Sequence, residues 1–259
     1  MEIKEYCQKI KSIVGLSFVL ARAEFKIRNE GSYLGIFWYL LNPILMFGLL
    51  FLVFNDSLGN SISYYPLYLL LGIIMFNFFQ SATLESVMSI LRDNRWLIKS
   101  INFPIESLVV GIVIKNLFSH FFEVLFFLIL ALYFKISLIS ILCYFIVLFF
   151  LFFFIAGASL ILSSLTVYLV DLEGIWAFAV RLLWLGTPIF YAIAGRTRLY
   201  YFNLLNPMYY FLTTAREVVI SSKLPEPLIM AGMIFYTVLF FVVGIFVFKK
   251  LKTKFAERI

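Results

Sequence analysis

Residues 26–54, KIRNEGSYLGIFWYLLNPILMFGLLFLVF, join a charged strip to a long apolar run. The strip contains Lys26, Arg28 and Glu30, and Asn42-Pro43 interrupts the run near its middle. A transmembrane helix needs about 20 mainly apolar residues, so the run is long enough to cross a bilayer. The stretch therefore predicts a membrane span that begins just after a charged segment at the membrane surface.

The composition of the whole chain also indicates a membrane protein. Its 259 residues are 63% hydrophobic and 14% charged, whereas a soluble domain is roughly half apolar and a quarter charged. The net charge of +7 predicts basic segments that flank the spans and contact anionic lipid, rather than nucleic-acid binding. Cys7, Cys143 and His120 are too few and too far apart to predict a disulfide framework or a metal site.

The sequence shows no motif for bond-making chemistry. No glycine begins a GxxxxGK[ST] or GxGxxG phosphate-binding motif, and no Ser/His/Asp set or carboxylate pair shares a predicted face. The chain is therefore predicted to be no enzyme and to hold no cofactor or metal of its own. Binding, transport and signalling remain as possible functions.

The sequence predicts an all-α membrane protein with six transmembrane helices. Six apolar segments have sufficient length, at 33–54, 66–88, 105–133, 141–168, 175–193 and 228–248. With the N-terminus placed inside, fourteen lysines and arginines fall in inner segments and five in outer segments. The positive-inside rule then predicts that both termini are cytoplasmic.

Residues 1–30 are predicted to form an amphipathic interfacial helix that precedes a transmembrane domain at 31–259. Apolar residues recur at helical spacing, and basic residues fall on the opposite side, at Lys4, Lys11, Arg22 and Lys26. This pattern is typical of a helix in the membrane surface. A signal peptide cleaved near Ala21-Arg22-Ala23 is the alternative, but cleavage would invert every later span and place the basic tail outside.

Several polar residues lie within the predicted spans. Asn42-Pro43 removes a backbone hydrogen bond and kinks the first span, either as a structural bend or where the helix faces a cavity. Glu85 and Lys115 fall at similar depth and are predicted to pair, because ionisable groups in membranes usually face the bundle interior. His120 and Glu123 share a helical face, which fits either a packing contact or a proton relay.

Aromatic residues are unusually frequent, with 32 Phe, 15 Tyr and 4 Trp. Most are expected to face lipid, to pack between helices or to lie in interfacial belts. In the fifth span Trp184, Thr187 and Tyr191 are predicted to share one face, next to Pro188. Rings with polar tips suit sugars, which offer apolar C–H faces for stacking and hydroxyl groups for hydrogen bonds.

Two segments between spans have distinctive patterns. Residues 92–104, RDNRWLIKSINFP, are basic and amphipathic, and predict either a lipid-bound surface helix or a docking element with Trp96 as its anchor. The outer segment 194–227 is too long for a simple loop. Within it, Asn206-Pro207 predicts the start of a helix. We therefore expect short, partly buried or re-entrant outer helices between spans five and six.

Taken together, these stretches resemble the type-2 ABC export permeases. The similar segments are IRNEGSYLGIFWYLLNPIL (27–45), NRWLIKSINFPIESLVV (94–110), GTPIFY (186–191) and LLNPMYYFLTTAREVV (204–219). The nearest branch comprises polysaccharide exporters for O-antigen, capsule and teichoic acid. The resemblance implies a homodimer in the bacterial inner membrane that pairs with an ABC ATPase subunit. That partner would bind ATP and magnesium, and the complex would export a lipid-linked glycan.

The resemblance also implies roles for individual residues, with residues 1–30 as a gate helix. Contact with the ATPase is expected at Arg92, Arg95, Trp96, Leu97 and Lys99, and secondarily at Asp171 and Glu173. The translocation pathway is expected to include Tyr33, Phe37, Tyr39, Pro43, Trp184, Thr187 and Tyr191. An outer gate is expected at Asn206, Pro207 and Arg216.

Three other functions remain compatible with the sequence. An ABC-2 exporter of drugs or other lipophiles would have the same fold. A proton-coupled secondary transporter would use His120 and Glu123, although no inverted repeat is visible. A membrane scaffold without transport activity is disfavoured by the ionisable residues inside the spans.

Overall fold

A computed structural model of the chain describes residues 2–30, 35, 37–59, 61–90, 103–193 and 197–255. These residues form α-helices and no strand, which confirms the all-α prediction. The helices are α1 (Glu2–Asn29), α2 (Phe37–Leu58), α3 (Tyr65–Met88), α4 (Glu106–Tyr133), α5 (Leu138–Thr166), α6 (Leu172–Gly186), α7 (Arg198–Leu204), α8 (Pro207–Val219) and α9 (Pro227–Leu251). A 3-10 turn at Lys252–Lys254 follows α9.

Within the described residues, five helices are long and apolar enough to cross a bilayer: α2, α3, α4, α5 and α9. A helix can do so because its own hydrogen bonds satisfy the backbone in lipid. These helices agree with predicted spans one to four and six to within a few residues. The apolar window of α3 is 72% buried and that of α2 only 11%, so α3 lies at the centre of the bundle and α2 at its edge.

The predicted fifth span, 175–193, is wrong in its extent. Helix α6 has 15 residues, or about 22 Å at 1.5 Å per residue, which is shorter than the roughly 30 Å hydrocarbon core. It ends because Thr187 precedes Pro188, and a proline pushes the residue before it out of the helical region. Thr187 accordingly has φ −80° and ψ 137°. Trp184, Thr187 and Tyr191 therefore do not share a helical face.

The helix ends lie in two groups, at opposite ends of the bundle. At one end, Val109 of α4, Val167 after α5 and Phe248 of α9 pack in one apolar cluster. The Lys252 ammonium group contacts the Glu106 carboxylate in the same place. We call this the terminal end, because it includes the end of the described chain.

The other end of the bundle, here called the loop end, holds the described segments 61–64, 134–137, 187–193 and 197–226. There the Tyr65 hydroxyl group of α3 donates a hydrogen bond to the carbonyl oxygen of Phe190, at 3.0 Å. The hydroxyl groups of Ser140 and Ser222 are 2.9 Å apart. These contacts hold the long connection between α6 and α9 against the starts of α3 and α5.

The predicted N-terminal helix is present as α1, and its second half packs along α4. A Cβ atom on Gly111 of α4 would lie 3.2 Å from the carbonyl oxygen of Ser17, so glycine permits the close approach. Phe18 and Phe25 make edge-to-face contacts with Phe118, at centroid distances of 5.5 and 6.0 Å. The contacts advance together along both helices, so α1 is joined to the bundle over several turns.

Helices α5 and α9 cross closely at two glycines. A Cβ atom on Gly157 would lie 2.3 Å from the carbonyl oxygen of Phe240, and one on Gly244 would lie 2.4 Å from the carbonyl oxygen of Gly157. Small residues at helix interfaces in membranes let the backbones approach and gain dispersion contacts. This crossing fixes α9 against the rest of the bundle.

Candidate functional site

Four charged side chains form a cluster near the terminal end, centred on Glu85 of α3. One Glu85 oxygen accepts a hydrogen bond from Arg28 of α1 at 3.0 Å. The other lies 2.9 Å from the Lys115 ammonium group and 2.8 Å from the Asn116 amide nitrogen, both on α4. Lys115 also pairs with Glu24 of α1 at 2.9 Å. The predicted pairing of Glu85 with Lys115 is confirmed, and this charge cluster (Glu24, Arg28, Glu85 and Lys115) links three helices.

We expect Glu85→Gln to loosen α1 from the bundle and to lower the free energy of unfolding by about 2 kcal/mol, because a hydrogen bond to a charged group contributes about 1.5–3 kcal/mol. The matched control is Glu30→Gln, since Glu30 pairs with Lys26 on the exposed surface and such pairs contribute about 1 kcal/mol or less. Thermal unfolding and protease cleavage within α1 measure both effects. Equal behaviour of the two variants would contradict the role of the cluster.

A polar cavity of about 140 Å³ adjoins the charge cluster. Residues of α1 to α4 line it, including Asn42, Pro43, Asn77, Gln80 and His120. Asn42 and Pro43 of α2 therefore line a cavity, which fits the second interpretation of this pair.

His120 makes polar contacts through both ring nitrogens. Nδ1 lies 3.1 Å from the Glu123 carboxylate, and Nε2 lies 2.8 Å from the Tyr144 hydroxyl group of α5. The ring also stacks on Phe78, at a centroid distance of 5.0 Å. Both nitrogens therefore have partners, and this geometry fits a packing contact as well as a proton relay. Among the described residues no three His, Cys, Asp or Glu side chains converge as ligands for a metal ion.

Arg216 of α8 is the centre of a second polar region, at the loop end. Its terminal nitrogens donate hydrogen bonds to the carbonyl oxygens of Pro188 at 2.6 Å, Ile189 at 2.8 Å and Tyr68 at 3.2 Å. The guanidinium carbon lies 3.4 Å from the centre of the Tyr68 ring. An arginine side chain remains charged in proteins. Arg216 thus holds the chain that follows α6 against α3.

Asn206 and Pro207 begin α8, as predicted. The Asn206 side-chain oxygen accepts a hydrogen bond from the Met208 backbone N–H group at 3.1 Å, and Pro207 is the first helical residue. The Asn206 amide nitrogen donates to the Thr187 hydroxyl oxygen at 2.8 Å. Thr187 is fully buried, so its hydroxyl group joins the end of α6 to the start of α8 and is not open to a path in this structure.

The Phe190 ring contacts both the Trp184 ring and the Tyr191 ring. The Trp184 and Phe190 ring centroids are 5.6 Å apart, and those of Phe190 and Tyr191 are 5.1 Å apart. The Tyr191 hydroxyl group donates to the carbonyl oxygen of Gly186 at 2.8 Å. Tyr191 therefore folds back onto the end of α6, and its polar tip is already occupied.

The expected pathway residues near α2 are described only in part. Phe37 is exposed at the start of α2, and Pro43 is buried beside the 140 Å³ cavity. Tyr33 and the side chain of Tyr39 lie outside the described residues. The five described members of the expected pathway set therefore do not lie on one surface of a single chain, because Thr187 is fully buried whereas Phe37 is exposed.

The expected ATPase contacts are also described only in part. Asp171 and Glu173 are exposed at the start of α6, at the terminal end. The main contact lies outside the described residues, at Arg92, Arg95, Trp96, Leu97 and Lys99.

Three polar partners in these regions were missed from the sequence: Glu24, Tyr68 and Tyr144. Glu24 lies four residues before Arg28, so helical spacing was a usable signal for a shared face. Tyr68 and Tyr144 lie inside apolar runs. Nothing local distinguishes them from tyrosines that face lipid, so only the packing of distant helices identifies their roles.

A comparison with protein families places most of the chain in a known class. The model of the ABC-2 type transporter family matches residues 16–220, from within α1 to just beyond α8. The chain belongs to the ABC-2 type transporter family. It is a transport subunit and not an enzyme, as the sequence predicted.

Three curated proteins are similar to this ABC-2 chain over almost its whole length, and each is named O-antigen export system permease protein RfbA. The Myxococcus xanthus protein is 26% identical over 251 residues, which cover 95% of each chain. Two Klebsiella pneumoniae proteins are 25% and 27% identical over 267 and 269 residues, covering 96% of this chain and 98% of each relative. The similarity therefore extends far beyond any single motif.

Proposed function

We propose that the chain is the permease subunit of an ATP-driven exporter that moves a lipid-linked, O-antigen-like polysaccharide out of the cytoplasm across the bacterial inner membrane. The observation that supports this best is the near end-to-end similarity to three O-antigen export permeases. The ABC-2 family match supports the same class of transporter. ATP and magnesium would be bound by a separate ABC ATPase subunit.

Six spans and cytoplasmic termini complete this proposal. Helix α6 is the short fifth span, and α7 and α8 re-enter the membrane from the outer side to fill the depth that α6 does not cross. Lys249 and Lys250 lie in the last turn of α9, at the terminal end, which supports a cytoplasmic position for that end. Helix α1 is then the gate helix on the cytoplasmic side, packed along α4.

A second copy of the chain is the proposed partner for the exposed apolar surface of α2 and α6. On α2, Leu45, Leu49 and Leu52 recur at helical spacing and are 61%, 59% and 79% exposed. Leu182 and Leu185 are similarly exposed on α6. A homodimer through these helices would place Phe37 and Trp184 near a path between the two copies. Lipid is the alternative occupant of this surface.

Trp96 is the proposed anchor of the ATPase contact, because residues 92–103 join two spans directly. We expect Trp96→Ala to leave the permease in the membrane but to weaken ATPase binding about 30-fold, since truncating a buried anchor costs about 2 kcal/mol or more. Arg95→Ala should have a smaller effect that depends more on salt, because peripheral charges mainly affect the association rate. Co-purification of the two subunits at two salt concentrations measures both. If Trp96→Ala still forms the full complex, the segment is not the ATPase contact and is better interpreted as a lipid-bound helix.

Deletion of the gene in its own host tests the function directly. We expect surface polysaccharide to disappear and lipid-linked glycan to accumulate in the cytoplasm, with both effects reversed when the gene is restored. Loss of the ATPase gene should give the same phenotype. Unchanged surface polysaccharide together with greater sensitivity to lipophilic drugs would instead favour a drug exporter of the same fold.

A further inference from the structure

A cavity of about 790 Å³ opens at the loop end of the bundle. It lies between the start of α3, the extended segment after α6 and the second half of α8. Its size falls in the range of sites that bind small molecules, about 300–1,000 Å³. Tyrosines, short hydroxyl side chains and charged groups line it together, among them Tyr64, Tyr209, Thr213, Arg216 and Glu217.

The lining of this cavity carries groups that donate and groups that accept hydrogen bonds. Glu217 and Lys223 bring charges of opposite sign, and Tyr209 and Thr213 bring hydroxyl groups. Nε of Arg216 and Oε2 of Glu217 have no hydrogen-bond partner in the described part of the chain, but both atoms are buried and shielded from the cavity. A sugar hydroxyl group can donate to a carboxylate and accept from an ammonium group, so the lining suits a neutral ligand rich in hydroxyl groups.

Tyr64 presents an aromatic ring to the same cavity from a strained backbone. Its φ is +52°, which is rare for a bulky residue. Such strain persists where the surrounding structure imposes it, and it is concentrated at functional sites. The Tyr64 ring packs edge-to-face on Phe134, at a centroid distance of 5.8 Å, and the residue is 47% exposed. One side of the cavity therefore has an accessible ring held in a defined position.

We propose that this cavity is a binding site for a neutral saccharide portion of the exported glycan, on the side of the membrane where the glycan emerges. The sugar C–H face would stack on Tyr64, and its hydroxyl groups would bind the Glu217 carboxylate and the Lys223 ammonium group. This inference rests on the proposed function and adds a site to it. The site belongs to one chain, in contrast to a path between two copies.

Binding of defined oligosaccharides to the full-length permease–ATPase complex in lipid nanodiscs tests this site. The neutral probes are maltotriose, mannotriose and galactotriose, and the charged probes are trigalacturonic acid and inorganic phosphate. We expect saturation-transfer NMR to detect at least one neutral probe. Tyr64→Ala should weaken its binding roughly tenfold, as loss of one stacking contact does at other aromatic platforms. Glu217→Gln removes a hydrogen bond to a charged group and should weaken binding by roughly the same factor.

Matched controls are available at the same end of the molecule. Tyr201 on α7 is 57% exposed and Asp56 at the end of α2 is exposed, and neither lines the cavity. Tyr201→Ala and Asp56→Asn should therefore bind the neutral probe as the unmodified protein does.

The site is overturned if no neutral probe binds, or if the cavity variants bind as their controls do. Tighter binding of trigalacturonic acid or phosphate than of every neutral probe would overturn it in favour of an anion site. The gene-deletion experiment separates these results from the proposed function. If the restored gene supports polysaccharide export but the protein binds no saccharide, only the proposed site is contradicted. If surface polysaccharide survives gene deletion, the proposed function is contradicted.

Discussion

Gly157→Ala should lower the free energy of unfolding by about 3 kcal/mol, at the upper end of what overpacking usually costs. The added methyl group would lie 2.3 Å from the carbonyl oxygen of Phe240 and 2.5 Å from the backbone nitrogen of Phe241. These are backbone atoms of α9, which cannot move aside as the end of a flexible side chain can. The helices would have to separate, and the dispersion contacts along the crossing would weaken with them.

Gly48→Ala and Gly15→Ala are matched controls for this substitution. A Cβ atom at either position meets nothing within 4 Å, so both variants should unfold close to the temperature of the unmodified protein. Thermal unfolding in detergent and the yield of monodisperse protein measure the three variants together. A Gly157→Ala protein as stable as Gly48→Ala would show that α5 and α9 do not need this close approach.

Arg216→Met should also lower the free energy of unfolding by about 3 kcal/mol, because unsatisfied buried polar groups cost about 1–3 kcal/mol each. The substitution removes both hydrogen-bond donors to the carbonyl oxygens of Pro188 and Ile189. It also removes the guanidinium group from the Tyr68 ring. We expect the segment after α6 to detach from α3, and export to fall with it.

Arg216→Lys separates charge from geometry at this position. A lysine retains the positive charge but cannot present the planar fork of an arginine, so this variant should recover only part of the lost stability. The guanidinium group fits closely against Gly72 of α3, where an added Cβ atom would lie 2.6 Å from a guanidinium nitrogen. Arg198→Met is the control, because Arg198 is exposed at the start of α7. Equal unfolding temperatures for Arg216→Met and Arg198→Met would contradict the proposed role.

Local features of the sequence were sufficient to predict most helices. Apolar length predicted α2, α3, α4, α5 and α9, because a helix that satisfies its own backbone is the stable form of such a segment in lipid. The cap at Asn206 and the proline after it predicted the start of α8 for an equally local reason. The end of α6 was also encoded locally, by Thr187 before Pro188, but the expectation of a full-length span obscured it.

The charge cluster shows where local prediction ends. Glu85 and Lys115 were predicted to pair from their depth in two adjacent spans, and the structure confirms the pair. Their contacts with Arg28 and Glu24 depend on how α1 packs along α4, and that packing is possible because Gly111 leaves room for the α1 backbone. A depth estimate contains no information on which faces of two helices meet.

The contacts and the cavity at the loop end were the features least predictable from the sequence. The sequence marked Arg216 and Asn206 as notable residues, but their partners lie in α3 and in the segment after α6, as many as 148 positions away. The 790 Å³ cavity exists because that extended segment, α3 and α8 meet without filling the space between them. Helix formation follows from interactions a few residues apart, whereas cavities and buried hydrogen bonds follow from the shapes of distant surfaces in contact.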